Sequence, residues 1–178
     1  MPKRVSRHAV VQPLDPTIKL IALTQNQNAT VDAADYEWLS QWNWHVFLSR
    51  STNSFYAKRN NVVSGKSKAI YMHRAILDAA GSVEVDHRDG DTLNNRRSNL
   101  RLATHQENRS NGKRYTCNTS GYKGVYWKPL MKKWQAAINI YGKAVYLGTS
   151  NNKDDTARMY DFAAIALHGE FARTNFRY

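Results

Sequence analysis

The sequence predicts an α+β protein in two parts, and three observations carry that prediction. Short runs of alternating apolar and polar residues, bounded by Gly, Asn or Ser, recur along the chain, as small sheets require. Between Val83 and Gly112 the pattern reads strand, loop, strand, helix. From Ser120 onward three short strands precede one amphipathic helix, the order of a three-stranded antiparallel sheet packed on a single helix. The chain has 178 residues, enough for one domain with a full core or two small ones.

Residues up to about Pro16 read as a basic, flexible arm with prolines at 2, 13 and 16. Ile18 to Leu23 is an apolar run, and Gln25 to Ala29 is rich in turn formers. Asp32 then suits the N-cap of a short helix, Ala33 to about Gln41. Trp38, Trp42, Trp44 and Phe47 cluster around its end. Such rings serve either as stacking platforms for bases or as the core of a small domain, and clustering at a helix end favours the core. Strands follow at Ser54–Arg59 and Lys68–Met72, joined by a polar loop, and His73 to Leu77 reads as a short helix.

The next segment carries chemistry. A short alternating strand ends in Asp86-His87, and a second runs over Leu100–Ala103. Thr104 is a good N-cap and Glu107, three residues on, completes a capping box, which puts Asn108 about one turn into a helix that Gly112 can end. Asp86 offers a carboxylate and Asn108 a carboxamide oxygen, both hard donors suited to a divalent cation that keeps most of its waters. His87 alternates with Asp86 and would point to the other side, where an imidazole can act as a base near neutral pH. A metal on one side and a base on the other suits hydrolysis of a phosphodiester.

Residues 83–108, with the run Leu93-Asn-Asn-Arg-Arg-Ser-Asn-Leu-Arg101, resemble the ββα-metal motif of HNH endonucleases, especially the homing-type enzymes common in bacteriophages. His87 to Asn99 is twelve positions and Asn99 to Asn108 nine, as in that pattern. The resemblance implies that His87 is the general base, that Asp86 and Asn108 hold the metal, and that Asn99 braces the loop presenting His87. Many relatives carry His where this chain has Asn108. An oxygen donor there argues for Mg²⁺, or Mn²⁺, over Zn²⁺. His73-Arg74 also matches a pair in the family, and Arg74 is read either as a phosphate contact or as half of a structural salt bridge.

In the last part, Gly124–Lys128, Trp134–Ile140 and Ala144–Leu147 read as strands, the last two joined by a tight turn at Tyr141-Gly142-Lys143. Alternation sends Val125, Trp127, Trp134, Ala136, Ile138, Ile140, Val145 and Leu147 inward. A helix from about Lys153 to His168 follows, with Asp154 and Asp155 in its first turn and Gly169 as its stop. Its stripe of Ala157, Tyr160, Ala164 and Leu167 would cover the sheet. The runs Ser120-Gly-Tyr-Lys-Gly-Val-Tyr-Trp127, Lys133-Trp-Gln-Ala-Ala-Ile138 and Ala157-Arg-Met-Tyr-Asp-Phe-Ala-Ala164 resemble the apetala/ethylene-response-factor type DNA-binding domain. That likeness implies groove contacts from Lys123, Tyr126, Lys128, Asn139, Tyr146 and Thr149. Tyr126, Lys128, Asn139 and Ala144 stand where the plant proteins carry Arg, so bidentate guanine readout is largely missing.

Net charge is +12 with an isoelectric point near 9.9, which points to a polyanion and, by default, nucleic acid. Arg96, Arg97, Arg101 and Arg109, with Lys113 and Arg114, form the expected basic band for a phosphate backbone. No stretch approaches a membrane span, and the basic start lacks the apolar run of a secretory signal, so an intracellular protein is expected. One cysteine, Cys117, allows no internal disulfide, and no structural zinc cluster is expected. The predicted organisation is a nuclease domain at 1–112 with its motif at 83–112, a basic linker at 113–119 and a DNA-binding domain at 120–178. The expected function is metal-dependent hydrolysis of double-stranded DNA by a homing-type nicking or cleaving enzyme. The alternative is a DNA-binding regulator that keeps the motif only as a scaffold. Monomer and homodimer stay open.

Overall fold

The computed structural model describes residues 7–50, 52–114 and 117–178. Met1–Ser6 of the predicted arm and Tyr115 and Thr116 of the predicted linker lie outside the described residues. The chain divides into two compact units, Met1–Leu102 and Ala103–Tyr178. The architecture is mixed α+β, with small sheets and four α-helices among the described residues.

In the first unit β1 (Ile18–Ala22) pairs antiparallel with β2 (Asn28–Asp32), Ile18 opposite Asp32 and Ala22 opposite Asn28. Gln25 and Asn26 make the reversal at φ 58° and 53°. Helix α1 (Ala33–Ser40) starts at Asp32 as expected, yet the Asp32 side chain caps nothing. Its carboxylate instead accepts hydrogen bonds from Arg96 Nε at 2.8 Å and the Arg97 amide at 2.7 Å. A charged donor far along the chain has outcompeted the local amides, because ionised pairs make the stronger hydrogen bonds.

Strands β3 (His45–Ser49), β4 (Ser54–Val63) and β5 (Lys66–Tyr71) form an antiparallel sheet in that order. The polar loop expected after Arg59 is mostly strand. Only Ser64 and Gly65 turn, both left-handed at φ 50° and 74°, as a two-residue hairpin loop requires. Helix α2 (Met72–Ile76) leads to β6 (Glu84–His87), which neighbours β7 (Leu100–Ala103) in a two-stranded sheet. The core gathers Leu23, Val31, Leu39, Trp44 and Met72. Trp44 is fully buried and donates its indole N–H to the Leu39 carbonyl at 2.8 Å. Trp38 packs against the same core, while Trp42 stays half exposed beneath the Arg59 guanidinium, 4.0 Å from its ring centre. Two of the three tryptophans therefore serve packing.

The second unit begins with α3 (His105–Asn111), whose capping box is present in both directions: Glu107 N–H donates to Thr104 Oγ1, and Thr104 N–H donates to Glu107 Oε2 at 2.7 Å. Strands β8 (Val125–Lys128), β9 (Lys133–Ile140) and β10 (Lys143–Ser150) form an antiparallel sheet in the order β10-β9-β8. Tyr141 and Gly142 make the β9–β10 turn at φ 48° and 81°. Helix α4 (Lys153–His168) packs on the sheet, its first turn capped by Asn152, and Gly169 ends it at φ 51°. Ala136, Ile138, Tyr160 and Ala164 make this core, small residues letting helix and sheet approach closely around one large ring.

Alternation overstated the inward set. Trp127 and Val145 are exposed, and so is Leu167 of the predicted helix stripe. The helix buries Asp161 instead, wholly. Its carboxylate accepts from the Asn175 amide at 2.8 Å, Asn175 Nδ2 at 2.9 Å and the Phe176 amide at 3.0 Å, fastening the final residues to α4.

Gly124 is the tightest glycine contact. Its φ is +73°, and a Cβ there would stand 2.0 Å from Tyr160 Cδ2 and 2.8 Å from the Ala137 carbonyl oxygen. Gly124→Ala combines a left-handed backbone cost with overpacking, and is expected to destabilise the protein by about 2–3 kcal/mol in urea unfolding. A change below about 0.5 kcal/mol would mean that the Tyr160 ring yields freely.

Candidate active site

The chemistry-bearing residues of the first unit meet at β6, β7 and the loop between them. Strand β6 carries Val85 into the core and ends in Asp86 and His87, both buried. One Asp86 oxygen, Oδ2, accepts from Arg101 of β7, at 2.8 Å from Nε and 2.6 Å from Nη2, with both side chains only 6% exposed. Burial of this kind is tolerated because the two charges neutralise each other in place.

Burial pushes the His87 imidazole below the ordinary histidine value. Hydrogen bonding to Asn95 and the carboxylates of Asp89, Asp86 and Asp91 pull it back. The net effect is an imidazole held below the ordinary histidine value.

Asn99 ties the loop that follows. Its Oδ1 accepts from the Asp89 amide at 3.0 Å, and its Nδ2 donates to Asp89 Oδ1 at 2.9 Å and to the Asn94 carbonyl at 2.8 Å. The Asn99 carbonyl accepts from the Arg88 amide at 2.9 Å. One side chain thus closes the turn immediately after His87. The loop is fixed in turn to the β1–β2 hairpin. Thr30 N–H donates to the Leu93 carbonyl at 2.9 Å, and Asn95 N–H to the Thr30 carbonyl at 2.7 Å.

Several expected phosphate contacts have partners inside the protein. Arg97 makes a two-pronged pair with Asp35, Nε to Oδ2 and Nη2 to Oδ1, each at 2.8 Å. Burial pushes the Asp35 carboxyl up, but the bonds from Arg97 and Trp38 outweigh it and hold it below the usual carboxylate value. Arg96 pairs with Asp32. Arg101 is buried on Asp86 and offers DNA no surface. Arg74 donates to the carbonyls of Val83 at 2.5 Å, Ala79 at 2.9 Å and Gly81 at 3.0 Å, shaping the approach to β6.

In the second unit Asn108 lies half-buried in the first turns of α3, its amide donating to the Thr104 carbonyl at 3.0 Å. Arg109, Lys113 and Arg114 are exposed. Lys123, expected in a DNA groove, is turned inward. Its Nζ donates to the Ser110 carbonyl at 2.5 Å and the Gly112 carbonyl at 2.7 Å, and burial, with Arg173 nearby, lowers its pKa to about 8. Gly112 has an extended φ of −55°, so this ammonium, not a left-handed glycine, satisfies the end of α3. Tyr126, Asn139 and Tyr146 are exposed on the outer sheet face, and Lys128 and Thr149 are half-buried. Gln135 donates to the Tyr126 hydroxyl at 2.7 Å, and Lys128 Nζ lies 5.0 Å from the Tyr126 ring centre.

Two residues lie beside His87 to which the sequence gave no role there, although His73 belongs to the matched His-Arg pair and Asn95 to the matched loop run. Asn95 is completely buried, one of a pair of adjacent asparagines whose polarity reads as plain loop. His73 on α2 brings its ring within 5.1 Å of the His87 ring. Among the described residues no cluster of three or more His, Cys, Asp or Glu side chains could hold a metal, and no helix is long and apolar enough to cross a membrane.

A family model described as HNH endonuclease matches residues 71–110, from the end of β5 through most of α3. Protein 3.8 of Escherichia phage T7 is 37% identical over 89 residues, which are 50% of this chain and 73% of that protein. An uncharacterized HNH endonuclease of Acanthamoeba polyphaga mimivirus is 36% identical over 93 residues, 52% of this chain and 47% of its own length. An ethylene-responsive transcription factor-like protein of Arabidopsis thaliana is 48% identical over 42 residues, 24% of this chain and 18% of its own.

Proposed function

This chain belongs to the HNH endonucleases, and from that premise we propose that it hydrolyses double-stranded DNA with a divalent metal, as a homing-type nicking or cleaving enzyme. The observation that carries the reading is the buried His87 at the end of β6, next to Asp86 and ahead of a loop closed by Asn99.

In this mechanism His87 takes a proton from a water molecule, whose oxygen forms a bond to the scissile phosphorus as the bond to the 3′ oxygen breaks. The leaving 3′ oxygen takes a proton from solvent, and the products are a 5′-phosphate and a 3′-hydroxyl. Asp86 and Asn108 would hold the metal, a ligand pair of hard oxygens that suits Mg²⁺ or Mn²⁺. When bound, such an ion supplies stabilisation of the charge on the phosphoryl oxygens and the leaving oxygen. Arg101 keeps Asp86 in place from β7, and Asn99 keeps the turn after His87 closed.

Residues 120–178 are proposed to position the nuclease on DNA as an apetala/ethylene-response-factor type module, which the likeness to the plant factor supports. The outer sheet face, with Tyr126, Asn139 and Tyr146 exposed and Lys128 and Thr149 half-buried, would meet the groove, and Arg109, Lys113 and Arg114 the phosphates. The phage relative accords with action inside a host cell.

The test is relaxation of supercoiled plasmid by the full chain, in EDTA and after readdition of Mg²⁺ or Mn²⁺. Nicked or linear product only with metal is expected. Duplex binding without cleavage in any divalent metal would replace the enzyme by a DNA-binding regulator.

A further inference from the structure

His73 is 7% exposed, and its Nδ1 has no hydrogen-bond partner among the described residues. What this position offers its neighbours is therefore the ring itself and not a hydrogen bond at that nitrogen. Its surroundings are specific. The His73 and His87 ring centres are 5.1 Å apart with planes at 73°, an edge-to-face contact. Tyr56 of β4 and Tyr71 of β5 each lie 5.6 Å from the His73 ring and meet each other edge-on at 6.1 Å. Tyr56 also reaches the His87 ring, at 6.3 Å. Burial, then His87 and Arg74, lower the His73 pKa to about 3, so this ring is an uncharged aromatic surface at neutral pH.

We propose that His73 is a positioning residue for the nuclease reaction, its ring gripped by Tyr56 and Tyr71 and fixing the plane of the His87 imidazole. The torsion that turns an imidazole about its last bond is intrinsically broad, so the ring needs neighbours to hold it. Proton transfer needs the accepting nitrogen within hydrogen-bond reach of the water and aligned with it, and a small misplacement is costly in rate. Tyr56 and Tyr71 sit on paired strands, and α2 follows β5 directly, so the β3–β4–β5 sheet backs the grip. The inference rests on His87 being the general base.

The test compares H73A, H73F, H87A and the H73A/H87A double variant in the full chain, with steady-state cleavage of plasmid in Mg²⁺. H73A is expected to lower kcat by about ten- to a hundredfold, the scale of a mispositioned group, and to leave KM nearly unchanged. H73F keeps the edge-to-face ring and gives up no Nδ1 hydrogen bond, so it should restore most of kcat. The double variant should be no slower than H87A alone. An H73F as slow as H73A, losses that multiply in the double variant, or a change confined to KM overturns the proposal. The premise is read separately: H87A that still cleaves removes both the base and its positioning residue, whereas an inactive H87A beside a fully active H73A removes only the latter.

Discussion

His87→Ala is expected to slow single-turnover cleavage of a plasmid by about 10²–10⁴, the usual contribution of a general base. Duplex binding in a gel-shift assay should stay close to wild type, because an imidazole that works in the transition state adds little to the ground-state complex. The fold should survive too. His87 ends a four-residue strand, and the turn after it is held by Asn99, whose bonds run to Asp89 and Asn94. Cleavage within about tenfold of wild type would remove His87 from the proton-transfer role.

Arg101→Ala should act on stability first. Removing the guanidinium leaves the Asp86 carboxylate buried without its charged partner, and breaking such a pair from one side costs about 3–5 kcal/mol. The change should appear in urea unfolding as a lower midpoint with an unchanged slope. Adding Asp86→Leu should recover much of the loss, since the stranded charge is then gone. The opposite pattern would restore Arg101 as a phosphate contact: full stability, with weakened DNA binding and a shallower salt dependence.

What the sequence disclosed and what it hid divide along chain distance. Strand β7, the Thr104–Glu107 capping box and α4 are written in signals a few residues long, and each is found where those signals lie. The partners of the arginines are written nowhere nearby. Arg96 meets Asp32 and Arg97 meets Asp35 more than sixty positions away, so a basic cluster beside a catalytic motif reads as a phosphate-binding surface until the tertiary fold supplies carboxylates. Lys123 hid for the same reason, its carbonyl partners lying in a preceding helix end. Alternation sorted the faces of β8 and β9, yet it carries no information on how far α4 reaches, and Trp127 lies in solvent. Asn60 and Asn61 disguised the far half of β4, because their weak strand propensity gave way to pairing with β5. Of the candidate site, Asp86, His87 and Asn99 stood out by residue type, spacing and family resemblance, whereas the placement of Asn95 and His73 against His87 needed the fold.

The seam between the β1–β2 hairpin and the loop at 93–97 limits how the nuclease motif can be moved between proteins. Thr30 and Asp32 supply backbone and carboxylate partners to Leu93, Asn95, Arg96 and Arg97, yet both precede the matched stretch 71–110 by about forty residues. A transplant of the motif alone would carry His87 and Asn99 but leave the loop's outer edge without its seam, and its backbone donors and acceptors would turn to water. A chimera that retains residues 17–33 together with the motif keeps that edge sewn. Insertions are therefore better borne in the Ser64-Gly65 turn, which lies between the two sewn segments and joins strands already paired with each other, than anywhere from Thr92 to Asn99.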